Sequence, residues 1–267
     1  MFSVAVRQNH CTMKKLIPIF FICLAIAGMV ILISSCDKNS SESAVSPQSG
    51  QGGSMARFAI TGNTLYIVSK KSLEVYNITD GADPVKTTSK NMDIGIETIF
   101  PYQNYLFIGA NDGMYIYNNN SPQNPALISK YTHIQSCDPV VVQGNYAYVT
   151  LRSSTFCRGN ATPSSLDVVD ISNPSQPSLV HTQSMESPYG LGVQNNRLFI
   201  CEGDKGLKIM DITNPKLPVE KQLLHDIPSY DVIVRNNRLI VTGSKGLFQY
   251  QFDEQNKMEL LSKIPVL

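Results

Sequence analysis

The stretch NTLYI at Asn63–Ile67 decides the fold of this chain, because close copies of it recur four more times. The copies are NYLFI at Asn104–Ile108, NYAYV at Asn145–Val149, NRLFI at Asn196–Ile200 and NRLIV at Asn237–Val241. The repeated asparagines are separated by 41, 41, 51 and 41 residues. A period near 40 residues that contains only strand-like segments predicts a β-propeller, an all-β ring of repeated sheets.

Each repeat contains four short β-rich segments divided by turns rich in Asn, Gly, Pro and Asp. The second segment is continuously apolar, as in Leu106–Ile108. A strand with one face in water would alternate, so this pattern predicts blades that pack face to face in a closed ring. We therefore expect five four-stranded blades, from repeats of about 41 residues, over residues 55–267. A further strand from residues 45–56 could also close the ring, although the pattern does not require it.

The third segment of each repeat ends in a turn signal. Asp or Asn stands at positions 77, 118, 170 and 211, and such side chains start turns by bonding the backbone two residues on. The third and fourth copies read LDVVD at Leu166–Asp170 and LKIMD at Leu207–Asp211, each followed by a turn that contains Asn-Pro. On these residues the chain resembles the LVIVD-repeat family of bacterial extracytoplasmic propellers over residues 56–267. The resemblance implies a fold and a location outside the cytoplasm, and no particular chemistry.

The first 35 residues have the pattern of an export signal. Met13-Lys-Lys precedes an apolar run, Leu16–Ile33, which is followed by Ser-Ser-Cys36. This ending resembles the bacterial lipobox, which implies cleavage before Cys36 and attachment of lipid to its sulfur. Residues 1–12 can be an upstream extension, since Met13 opens a more typical signal. The alternative is an uncleaved membrane anchor, because a run of 18 apolar residues is long enough to span a bilayer.

Residues 36–54 are expected to form a flexible tether behind the lipidated cysteine, because they are rich in Ser, Gly and Gln and nearly devoid of apolar residues. We expect a monomeric head that is anchored to a membrane of the cell envelope, with the outer membrane as its place. Once Arg7, Lys14 and Lys15 are removed with the signal, 19 basic residues remain against 21 acidic ones. This balance argues against nucleic acid as a partner, since its binders carry clustered basic charge.

Aligned on the repeated asparagine, the position seven residues upstream begins the innermost strand of each blade. It is occupied by Ala56, Glu97, Asp138, Tyr189 and Tyr230. Core packing would make this position apolar throughout, so these residues should surround the top mouth, the opening of the central channel at which the innermost strands begin. One interpretation is a solvated rim. The other is a site for a small polar ligand or a glycan, with tyrosine rings as stacking surfaces and carboxylates as acceptors.

The 51-residue interval carries an insertion between the second and third strands of its repeat, on the same top face. Arg152 and Arg158 lie in it and could place cations beside the rim carboxylates. Cys137 precedes the innermost strand of this repeat and Cys157 lies in the insertion, so they are our candidate disulfide, with two free thiols as the alternative. Cys201 ends an apolar strand and is expected to be a small buried residue.

The sequence has no zinc-type spacing of His, Cys and carboxylates, no phosphate loop and no nucleophile motif. We therefore expect no metal and no cofactor. Our first hypothesis is a membrane-tethered, non-catalytic binding module of the bacterial cell envelope, with an unknown protein or glycan as its partner. The alternative is a glycan-active enzyme, a glycoside hydrolase or lyase, that uses Glu97 and Asp138 at the top mouth.

Overall fold

A computed structural model of the chain describes residues 52–92, 95–132, 139–153 and 163–266. These residues belong to one compact unit and form five antiparallel sheets of four strands. None of them lies in a helix with the length and apolar content that crossing a membrane requires. The predicted class, an all-β propeller of five four-stranded blades, is confirmed.

Each blade consists of four strands that follow one another in the chain and pair in that order. Blades one and two contain β1 (Phe58–Thr61), β2 (Thr64–Val68), β3 (Ser72–Asn77), β4 (Val85–Asn91), β5 (Ile96–Tyr102), β6 (Tyr105–Ala110), β7 (Gly113–Asn118) and β8 (Ala126–Thr132). Blades three and four contain β9 (Val140–Gln143), β10 (Tyr146–Leu151), β11 (Ser165–Asp170), β12 (Ser178–Ser184), β13 (Leu191–Gln194), β14 (Arg197–Cys201), β15 (Leu207–Asp211) and β16 (Val219–Leu224). Blade five contains β17 (Asp231–Arg235), β18 (Arg238–Gly243), β19 (Gly246–Phe252) and β20 (Met258–Pro265). The first strand of each blade is innermost, because β1, β5, β9, β13 and β17 contact one another in succession.

The recurrent Asp and Asn residues start turns, as predicted. Their side-chain oxygens accept hydrogen bonds of 2.8–2.9 Å from N–H groups two residues on, at Asn77, Asn118, Asp170 and Asp211. Hydrogen bonds from Ser172 also lower the pKa of the Asp170 carboxyl. These side chains therefore shape the connections between third and fourth strands and are not a ligand set.

Apolar cores fill the spaces between consecutive blades. Four clusters of buried side chains join blade one to two, two to three, three to four and four to five. The second strands of the middle blades, β6, β10 and β14, are buried along nearly their whole length. The prediction that continuously apolar strands have both faces covered is confirmed for these three.

Blades one and five each leave one sheet face exposed, which the sequence pattern did not predict. Strand β2 and strand β18 alternate between buried and more exposed residues. Phe58 of β1 is 60% exposed and Ile240 of β18 is 37% exposed. Among the described residues no apolar cluster joins blade five to blade one, so the expectation of a fully covered ring is wrong at this junction.

Candidate functional site

The top mouth is built from residues that lead into the innermost strands. Glu97 is the second residue of β5 and stands where the register with β6 shifts, a β-bulge that can re-aim a side chain. Tyr230 immediately precedes β17 of blade five, and Tyr189 lies two residues before β13 of blade four. The Tyr189 N–H donates to the Cys201 carbonyl at 2.8 Å, and the Tyr230 N–H donates to the Thr242 carbonyl at 2.6 Å. The backbone therefore places both rings at the rim.

Three of the predicted site residues, Glu97, Arg152 and Tyr189, line one pocket at the top mouth. The pocket has a volume of about 100 Å³. Its other lining residues are Met55, Arg57, Thr98, Pro139 and Pro188. The residues that surround it come from blades one to four, so the alignment of the repeats correctly brought separate segments to one place.

Tyr189 lies between a cation and a second aromatic ring. The guanidinium carbon of Arg152 is 4.0 Å from the centroid of the Tyr189 ring, a cation–π contact. The Tyr230 ring lies 5.1 Å away from the Tyr189 ring, centroid to centroid, with an angle of 47° between the planes. The Thr150 hydroxyl also donates to the Tyr189 carbonyl at 2.7 Å. These contacts hold an aromatic and cationic wall on one side of the pocket.

Arg57 faces this wall and was missed by the sequence reasoning. Its guanidinium lies 3.3 Å from Oε2 of Glu97, and both side chains are partly exposed. An ion pair of this exposure contributes about 1 kcal/mol or less to stability. Arg57 follows Ala56, the rim residue of blade one. The alignment of the repeats considered only the position of Ala56, so it did not include Arg57.

Thr98 also lines this pocket, although it is fully buried. Its Oγ1 has no hydrogen-bond partner among the described residues, and a buried hydroxyl without a partner costs free energy. The pocket thus combines two guanidinium groups and one carboxylate beside a buried threonine.

The segment before β1 partly fills the channel beside this pocket. Ser54 is buried, and its Oγ accepts a 2.6 Å hydrogen bond from the Leu191 N–H of blade four. The same hydroxyl donates to the Asp231 carboxylate of blade five at 3.3 Å. Residues 53–56 therefore connect blade one with blades four and five without adding a strand to any sheet.

Asp231 is the least expected polar group at the mouth. Burial raises the pKa of its carboxyl to about 6, although hydrogen bonds from the Val232 N–H and from Ser54 pull in the opposite direction. Gly53 and Gly190 allow this packing, because a Cβ on either would lie within 2.2 Å of a carboxylate oxygen. Asp231 follows the rim residue Tyr230, and nothing in the repeat pattern marks it as buried.

Several predicted residues lie outside the described part of the chain. They are Cys36, Cys137, Asp138, Cys157 and Arg158. The lipidation site, the candidate disulfide, the second rim carboxylate and the second insertion arginine therefore stay predictions.

Cys201 is fully buried and free, as expected of a small core residue, and burial raises the pKa of its thiol. Within residues 52–92, 95–132, 139–153 and 163–266, no three His, Cys, Asp or Glu side chains come together in a way that could hold a metal ion.

The arrangement defines a class: a β-propeller with a small polar pocket beside a partly filled central mouth. Residues 136–156, 161–183 and 190–225 match the LVIVD repeat. The chain is therefore a five-bladed β-propeller that carries LVIVD repeats, as the sequence resemblance indicated. A search of curated proteins found no match.

Solved structures with a similar fold share little sequence with the chain. A functionally unknown protein from Desulfotomaculum acetoxidans is 11% identical, with a TM-score of 0.63 over 79% of this chain and 69% of that one. A protein from Lactobacillus plantarum is 13% identical, with a TM-score of 0.61 over 76% and 69%. A periplasmic gluconolactonase from Pseudomonas aeruginosa is 12% identical, with a TM-score of 0.58 over 77% and 68%. Identities this low show a common fold alone.

Proposed function

We propose that the protein is a non-catalytic binding module of the bacterial cell envelope that is tethered to a membrane through Cys36 and contacts a protein partner with its top mouth. The observation that carries the proposal is the size of the pocket. About 100 Å³ is enough for one side-chain group, whereas sites for whole small molecules usually measure roughly 300–1,000 Å³. With residues 53–55 in the channel, the mouth offers a shallow surface with one small polar recess.

The composition of this surface also favours a protein partner. Tyr, Arg and Met are enriched in protein–protein interfaces, and Tyr189, Arg152 and Met55 all line the recess. Met55 is 42% exposed, which makes its apolar side chain available for contact. Glu97 forms an ion pair with Arg57, and Arg152 lines the same pocket, so its described part carries charges of both signs, which suits recognition of a protein surface.

The location of the proposed module follows from the sequence. The lipobox-like ending at Cys36 would attach the chain to a membrane, and residues 37–54 would let the propeller stand clear of the lipid surface. A Cys36→Ala variant should lose incorporation of labelled fatty acid and leave the membrane fraction. Retention of both label and membrane attachment would contradict the lipid anchor.

Photocrosslinking tests the partner. A photoreactive amino acid at Met55 of the full-length protein should crosslink one or a few envelope proteins in living cells. The double variant Arg152→Ala/Tyr189→Ala should reduce that crosslink at least tenfold, because truncation of central interface residues commonly costs more than about 1.4 kcal/mol. The matched control is Lys216→Ala/Tyr146→Ala, a cation–aromatic pair at 6.0 Å between the β15–β16 connection and the first residue of β10.

Equal crosslinking by the two double variants would contradict the proposal. Crosslinking to envelope glycans instead of proteins would change the partner class. Turnover of an oligosaccharide by the wild-type protein that a Glu97→Gln variant abolishes would favour the enzymatic alternative.

A further inference from the structure

The exposed faces of blades one and five carry apolar side chains at positions that are buried between blades elsewhere in the ring. Phe58 of blade one is 60% exposed, whereas Ile99, at the same repeat position in blade two, is 1% exposed and packs against blade one. Ile240 of blade five is 37% exposed, whereas its counterpart Phe199 in blade four is fully buried against blade five. Both exposed residues therefore occupy positions that elsewhere in the ring contact a neighbouring blade.

Phe58 of blade one and Arg235 of blade five both line the central channel. This cavity of about 320 Å³ is bordered by the innermost strands of all five blades. A separate groove of about 530 Å³ lies on the exposed face of blade five. It is lined by Ile233, Arg235, Asn236, Arg238, Ile240 and Gln249.

Two rungs of the sheet give this groove its chemistry. Ile233 lies opposite Ile240, and Arg235 lies opposite Arg238 across β17 and β18. Neither arginine forms an ion pair in the described part of the chain. Two adjacent guanidinium groups repel each other, so an anion placed between them is favoured.

Blade four shows which contacts an arginine at the position of Arg238 makes when the next blade packs against it. Arg197 corresponds to Arg238, and its guanidinium donates to the Glu254 carbonyl of blade five at 2.6 Å. The same guanidinium carbon lies 5.6 Å from the centroid of the Phe252 ring. Arg197 thus binds both an acceptor oxygen and an apolar surface of the next blade. Arg238 occupies the same position in blade five, where it lines the exposed groove.

We propose that this groove of blade five binds an extended segment of a partner protein in which apolar side chains cover Ile233 and Ile240 and carboxylates meet Arg235 and Arg238. Charge complementarity selects this occupant. A second copy that used the same face would bring four guanidinium groups together, which is unfavourable. This site is separate from the top mouth.

A synthetic peptide tests the site directly. The probe is a fluorescent nonapeptide, Ser-Val-Ser-Val-Ser-Asp-Ser-Asp-Ser, which in an extended conformation places its valines and aspartates on one face. The protein is the full chain in detergent at neutral pH. Wild-type protein should bind the probe with an affinity that falls as salt is raised. Arg235→Gln/Arg238→Gln should weaken binding at least tenfold, and Ile240→Asp should do the same through the apolar rung. Ile240 is exposed enough for that variant to remain folded.

Two matched controls distinguish binding in this groove from a general effect of charge and from binding at the top mouth. Lys70→Gln/Lys71→Gln removes the same charge from an exposed turn of blade one and should leave the affinity within twofold. Arg152→Ala/Tyr189→Ala at the top mouth should also leave it unchanged, so failure of one site is distinguishable from failure of the other. Hydrogen exchange should show protection of β17 and β18 by the probe.

Three results would overturn the proposal. The first is absence of binding, or equal binding of a valine–lysine peptide. The second is an affinity that the Arg235/Arg238 substitutions do not change. The third is a wild-type dimer in sedimentation that Ile240→Asp converts to monomer, since the occupant would then be a second copy of the chain.

Discussion

Asp231 makes the folding stability of the protein dependent on pH, and its replacement by Asn tests this. The carboxylate accepts a hydrogen bond from Ser54, in the segment that leads into blade one. Burial raises the pKa of Asp231 from 3.8 to about 6, because the charged form loses hydration that its hydrogen bonds replace only in part. The folded protein therefore binds a proton at this carboxyl more readily than the unfolded chain does.

The sign and size of the effect follow from proton linkage. In the unfolded chain the same carboxyl has a pKa of about 3.9, so between about pH 4 and pH 6 the folded state binds more protons than the unfolded state. The free energy of unfolding must then fall as the pH rises through this window. A difference of about two pKa units corresponds to about 3 kcal/mol, present below pH 4 and lost by about pH 7.

The assay compares urea unfolding of the wild-type protein and the Asp231→Asn variant at pH 4, 5, 6 and 7, followed by tyrosine fluorescence. The difference in free energy, wild type minus variant, should decrease by about 3 kcal/mol from pH 4 to pH 7. A constant offset from altered packing does not affect this slope. Asp83→Asn, an exposed side chain, is the control and should give a flat difference. A flat difference for Asp231→Asn, or one that increases with pH, would refute the reasoning.

Two further substitutions test interactions within the blades. Lys208 lies 3.3 Å from the nearly buried carboxylate of Glu202, so Lys208→Met should lower the free energy of unfolding by about 3–5 kcal/mol. Lys221→Met, at an exposed ion pair, should lower it by less than about 1 kcal/mol. Similar losses in urea titrations of the two variants would contradict this. The fully buried Tyr66 hydroxyl donates to Asn119 at 2.8 Å across blades one and two. Tyr66→Phe should therefore destabilise by about 1–3 kcal/mol in thermal melts, and an unchanged midpoint would show that the bond contributes nothing.

The repeat register predicted more of the candidate site than single residues could. Glu97 and Tyr189 share one position in the repeat, and the structure places them in the same pocket. Arg152 joined them because an insertion between second and third strands must reach the top face. In each case the position of a residue within its repeat was enough to predict its location, because every blade places that position at the top mouth.

The residues that the sequence reasoning missed depend on contacts between distant segments. Ser54 becomes buried only because the chain enters the channel and meets blades four and five, 137 and 177 residues further on. Asp231 is perturbed by that same entry. The repeat pattern does not predict such a contact, because Ser54 precedes the first repeat. Arg57 belongs to a repeat, but only its side-chain direction shows that it pairs with Glu97.

The terminal blades show why an apolar pattern alone does not establish burial. The repeat determines which side chains a strand carries. Whether those side chains are exposed depends on whether a neighbouring blade packs against them. Terminal repeats that face water usually have a polar outer face. Blade five partly meets this condition, because Gln249 stands where blade four has Ile209, a fully buried residue.

Blade one does not meet it, since Phe58 and Ile67 retain the apolar character of an internal interface. Covering Phe58 alone would contribute up to about 2 kcal/mol, which is a substantial fraction of the stability of a domain. The two exposed faces therefore differ in kind, because that of blade one is apolar and that of blade five has two arginines beside two isoleucines. A segment that covers the face of blade five must present apolar and acidic side chains together, which is the partner chemistry inferred from the groove.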